Sequence, residues 1–201
     1  MDKKQNTIST THYVSLLAIL LAFVILFQVF GSYIKIGATN FSFVLVPIVL
    51  GGVLLDAKAG LFLGFAFSTV VAVMGFAGAD AFTNILLIDA PIGTLITIYL
   101  KGCLAGFIPA LVYKALAGKN QTLALITSAL LAPVINTGVF IICMLFLSDV
   151  LKAHFVADGT TVIYFLVIIC AGINFLVELA INVVLAPALK RVVSAVKRVN
   201  R

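Results

Sequence analysis

Residues Val44–Ser68 read VLVPIVLGGVLLDAKAGLFLGFAFS, two apolar runs hinged on Asp56-Ala57-Lys58. A helix that spans a bilayer needs about 20 mostly apolar residues. The run after the hinge, Ala59–Gly78, meets that length, while the run before it, Phe41–Leu55, is short and calls for tilt or for help from its flanks. A three-residue hinge forces the two helices to be hairpin neighbours. The same reading carried outward adds Tyr13–Phe30, Ile92–Leu116, Thr122–Leu147 and Tyr164–Leu185, with Pro187 as a stop for the last. The expectation is an all-α integral membrane protein of six transmembrane helices, a single domain over residues 1–201.

Composition agrees. The chain is 63% hydrophobic and 10% charged, against about 45–50% and about 25% for a soluble domain. Its net charge of +6 is not spread evenly. Lys3, Lys4, Lys58, Lys114, Lys119, Lys190, Arg191, Lys197, Arg198 and Arg201 fall at one set of helix ends. Cytoplasmic loops collect Lys and Arg, so the basicity reports topology rather than a nucleic-acid partner, and both termini are expected to be cytoplasmic. The outward connections, Gly31–Asn40, Ala79–Pro91 and Ser148–Ile163, hold Asp80, Asp89, Asp149 and Asp158 but only Lys35 and Lys152 as basic residues. They are longer than the inner ones, which suits either a covered mouth or plain hydrophilic connections. The basic start runs into a long apolar stretch without a small-residue cleavage site, the pattern of a retained first span.

Small residues recur four apart, on one helix face: Ala18 and Ala22 in the first span, Gly60 and Gly64 in the third, Gly102 and Gly106 in the fourth. Such stripes let membrane helices approach closely, and serve either internal packing or a partner surface.

Polar side chains at bilayer depth are costly and usually face a protein interior or a wet cavity. At about 1.5 Å per residue, Lys101 lies roughly 14 Å, Asn136 about 16 Å and Asn174 about 15 Å from the outer ends of their spans. Three consecutive spans therefore bring polar groups to one depth, as a shared cavity requires. An ammonium at that depth needs an anion, carbonyls or water, so Lys101 either holds an anionic ligand, snorkels outward or pairs with Glu178. Pro133 removes a backbone donor one turn before Asn136 and Thr137, and broken helices often border transport sites. Those two residues either bond a ligand or tie helices together. Tyr99, near Lys101 in depth, and Asn40, at the outer mouth, complete the candidates. Asn174, Glu178 and Asn182 form one stripe at i, i+4, i+8, with Glu178 about 21 Å down and so below the expected pocket.

Other chemistries lack their residues. No Gly-rich loop ending in Gly-Lys-Ser/Thr is present for ATP, and His12 and His154 stand apart, so no metal site or enzyme is expected. Cys103, Cys143 and Cys170 sit in apolar segments and act as small hydrophobes. The absence of Trp speaks against a large flat aromatic ligand.

Six spans in this length, Ala18-xxx-Ala22, and the hairpin of Val44–Ser68 resemble the substrate-binding S components of energy-coupling-factor (ECF) vitamin transporters. APVINTGVF (132–140) and NFLVELAINVVLAPALKR (174–191) are similar to the pantothenate-type members. The resemblance implies high-affinity capture of a vitamin at the cell membrane, in a Gram-positive bacterium, by a chain with no cofactor of its own. A membrane coupling subunit and two cytoplasmic ATPases would supply the energy, Ala18 and Ala22 would contact the coupling subunit, and the S component would topple to deliver its cargo. Pantothenate has a carboxylate, an amide and two hydroxyls. Lys101 would pair with the first, and Asn136, Thr137 and Asn174 would bond the others. The competing expectations are another vitamin (folate, niacin or riboflavin) on the same fold, or a ligand-free membrane scaffold.

Overall fold

The computed structural model describes residues 9–33, 35–36, 39–40 and 43–199, with the side chains at 35–36, 39–40, 183, 186–188, 192 and 196–199 left aside. The chain is helical from α1 (Thr10–Gly31) onward, broken only by loops and by a two-residue antiparallel pair, β1 (Lys35–Ile36) with β2 (Thr39–Asn40). Then come α2 (Leu45–Leu54), α3 (Ala57–Phe76), α4 (Ala81–Asp89), α5 (Pro91–Leu116), α6 (Gln121–Leu145) and α7 (Ser148–His154). The last run is unbroken: α8 (Val162–Tyr164), a π-helix over Phe165–Gly172, and α9 (Ile173–Val199).

Side-chain oxygens start several of these helices by capping free backbone N–H groups. Ser9 caps α1, Asp56 caps α3 and Asn120 caps α6. Asp56 does more, because Tyr13 donates to its other oxygen at 3.3 Å and ties the start of α1 to the α2–α3 hinge. Pro91 sits at the start of α5, where a missing N–H costs nothing.

Among the described residues, five helices are long and apolar enough to cross a membrane: α1, α3, α5, α6 and Val162–Asn182. The expected second span is the exception. Its helix begins at Leu45 and has 10 residues, about 15 Å against a hydrocarbon core of about 30 Å. Nearly all of α2 is buried, with Leu45 and Ile48 packed on Leu20, Val24 and Leu63 from α1 and α3. Pro187 does not stop the last helix, which continues to Val199. Leu189 and Val193 lie buried against Val53, Tyr113 and Leu125, and that packing holds the segment beyond the proline despite one lost backbone bond.

Two of the small-residue stripes meet each other. A methyl group built on Gly60 would lie 2.4 Å from the Gly106 carbonyl oxygen, and one on Gly64 would lie 2.2 Å from that of Gly102. The α3 and α5 backbones thus touch directly, and Ser68 Oγ locks the crossing by donating to the Ile98 carbonyl at 2.8 Å. These glycines serve internal packing. Ala18 and Ala22 differ, both being exposed on the outer face of α1.

Two outward connections contain helices that the sequence reading left as loops. α4 and α7 pack against α6 and the last run through Phe82, Leu86, Met144, Leu151, Phe155 and Phe165. Phe82 and Phe155 lie 4.8 Å apart between ring centroids. His154 of α7 pairs with Asp89 at the end of α4. Together they roof the space between the long helices.

Candidate functional site

Beneath that roof lies a cavity of about 100 Å³, several times the roughly 10–15 Å³ that one buried water needs. Helical spacing explains its lining. On α5, Thr94, Thr97, Ile98 and Lys101 follow i, i+3, i+4, i+7 and share one face. On α6, Asn136, Thr137, Phe140 and Met144 follow i, i+1, i+4, i+8, as do Cys170, Ala171, Asn174 and Glu178 on the last run, so residues four apart share a face and one neighbour widens it. α3 adds Phe67 and Val71, and the α4 region adds Asp80, Phe82, Thr83 and Leu86.

Lys101 is the cation of this lining. Its Nζ lies 5.2 Å from the Phe140 ring centroid and 5.9 Å from that of Phe67, distances at which an aromatic face attracts a cation. The charges of Glu178 and Asp80 act on it, yet among the described residues neither carboxylate forms a salt bridge with it. The rings therefore hold the ammonium in place without neutralising it. Asp80 is engaged elsewhere, accepting from the Thr83 hydroxyl.

The hydroxyls of α5 are spent on backbone. Thr94 Oγ1 donates to the Leu86 and Ala90 carbonyls, both at 2.8 Å, and Thr97 Oγ1 donates to Gly93 at 2.8 Å. The Thr94 contact ties α4 to α5 and so positions the roof. Across the cavity, Asn136 and Asn174 share the lining with Glu178. Asn136 Oδ1, Asn174 Oδ1 and Glu178 Oε2 are buried and have no partner among the described residues.

Four of the six expected ligand residues come together here: Lys101, Asn136, Thr137 and Asn174. Tyr99 does not join them. Two residues from Lys101 it points around the helix, packing on Phe65 at 5.1 Å with its hydroxyl 3.4 Å from Thr69. The side chain of Asn40 lies outside the described ones. Glu178, expected below the pocket, lines it. The π-helix before it explains the difference, because i to i+5 turns wind more residues into each turn and climb less per residue than the α-helical rise assumed. The division into a contact half and a pocket half also gives way, since Gln28 of α1 and Phe67 of α3 face the same space. Gln28, Thr94 and Thr97 carried no signal in the sequence beyond being polar residues inside apolar runs.

No curated protein matches the chain closely enough to serve as a relative. A family profile, described as "ECF transporter, substrate-specific component", matches residues 12–190. That match takes in every helix bordering the cavity, and the long apolar helices agree with it. The chain belongs to the family of substrate-specific components of ECF transporters, and so is a membrane subunit that selects the transported molecule.

Proposed function

We propose that the cavity is the cargo site of a vitamin importer and that the cargo is pantothenate. The carrying observation is Lys101: a basic side chain inside the membrane domain, seated between two phenyl rings and without a salt bridge among the described residues. A ligand carboxylate completes it, and a polar group at this depth that no protein group satisfies is the signature of a site. Asn136, Thr137 and Asn174 stand within the same lining to meet an amide and hydroxyls. Small-molecule sites are of this kind, apolar walls with a few convergent polar groups. A scaffold would have no use for such a lining.

The rest of the reading follows from the family. The chain works with a membrane coupling subunit and two cytoplasmic ATPases, and the exposed Ala18 and Ala22 on α1 offer the coupling subunit a close-approach face. Six spans, with α2 counted as the short one, and cytoplasmic termini remain our reading, which the Lys and Arg distribution supports. Competition of pantothenate, folate, niacin and riboflavin for the purified protein in detergent tests the cargo. Pantothenate is expected to win. A different winner changes the vitamin, and binding of none leaves the scaffold reading.

A further inference from the structure

We propose that Glu178 is itself a cargo contact: with Asn136 and Asn174 it forms a wall of acceptors, so the cargo must present hydrogen-bond donors there. This rests on the cavity being the cargo site, and goes beyond it by naming what the cargo must carry.

The wall follows from the chemistry of its centre. An ionised carboxylate only accepts, whereas an amide has one accepting and one donating end. Glu178 shares the cavity lining with Asn136 and Asn174, and an amide that turns to its carboxylate must offer the NH₂ end. Both amide oxygens are buried without partners among the described residues, as is Glu178 Oε2. The remaining member of the stripe cannot help, because Asn182 Nδ2 is committed to the Glu178 backbone carbonyl at 2.8 Å. Glu178 is 4% exposed and Asn136 8% exposed, so bulk solvent does not serve them. The Thr94 and Thr97 hydroxyls are already given to backbone and do not reach across. Buried polar groups that stay unpaired within the protein are where a ligand finds its partners.

The test is a cycle between protein and ligand. Pantothenate, and an analogue with both hydroxyls replaced by hydrogen, are titrated into wild-type protein, Glu178→Gln and Glu178→Met in detergent. Deleting the hydroxyls is expected to weaken wild-type binding by roughly 10- to 150-fold, the span for a hydrogen bond to a charged acceptor. With Glu178→Gln, a neutral acceptor, the same deletion is expected to cost about 2- to 12-fold. With Glu178→Met it should cost less still, only what Asn136, Thr137 and Asn174 contribute. A penalty as large in both variants as in wild type overturns the inference, and the Gln variant carries the cycle alone if the Met variant does not fold. If wild-type protein ignores pantothenate, the proposed cargo fails separately. The wall is then judged on the vitamin that does bind. Glu178-dependent binding of folate or riboflavin, both rich in donors, supports it. Tight binding of niacin, a carboxylate with no donor hydrogen, overturns it.

Discussion

Replacing Gly106 by Ala places a methyl group where the α3 backbone already is. The new carbon would lie 2.0 Å from the Gly60 carbonyl oxygen and 2.7 Å from its carbon. Ordinary contact begins near 3.4 Å, so the helices must part by about 1 Å or more. The obstacle is backbone, and no rotamer change relieves it. Over-packing of this kind costs about 1–3 kcal/mol. Parting the helices also stretches the 2.8 Å bond from Ser68 to Ile98, a further loss of about 1 kcal/mol. Better helix propensity returns about 1 kcal/mol. The net expectation is destabilisation by about 1–3 kcal/mol. Gly138 on α6 is the matched control, since a methyl there meets nothing within 4 Å. Gly138→Ala should stabilise by up to about 1 kcal/mol. Equilibrium unfolding in detergent micelles, read by helix content, compares the two. If Gly106→Ala proved as stable as Gly138→Ala, direct contact of the α3 and α5 backbones would be refuted.

Bulk on the exposed stripe should act oppositely. Ala22→Leu is expected to leave unfolding within about 0.5 kcal/mol of wild type, as surface changes do, while abolishing co-purification with the coupling subunit. Ser128 is fully buried and donates to the Pro109 carbonyl at 2.7 Å, joining α6 to α5 beside a helix-interior proline. Ser128→Ala should cost about 1 kcal/mol in the same unfolding assay. Asp89→Asn removes the charge that pairs with His154 between the two roof helices. Both groups are partly exposed, so unfolding should change by less than about 1 kcal/mol, and any effect should appear as faster release of bound vitamin.

The long helices were legible because their apolar runs exceed what a soluble fold tolerates. α4 was not, because AFTNILLID carries its buried Phe82, Leu86 and Leu87 in only nine residues, amid a connection rich in Ala, Asp and Gly. α2 was legible as apolar and as short, though its run was read from Phe41 and the helix begins at Leu45. In the cavity, Lys101 and Asn136 could be aligned by counting residues along regular helices. Counting failed at Glu178, where the π-helical turns break the regular rise. It could not find Gln28, Thr94 or Thr97 either, because a polar residue able to bond within its own helix shows no sign in sequence of the face it lines. The glycine pairs could be seen as stripes, but only the fold shows that two stripes face each other and the alanines face outward.

Binding of pantothenate to wild-type protein and to Lys101→Ala tests the central claim most directly. The account predicts saturable binding by the wild type, and a loss of roughly 30-fold or more for the variant, the scale for removing one partner of a buried charge pair. Equal affinity in the two proteins, or no vitamin bound by either, would contradict it.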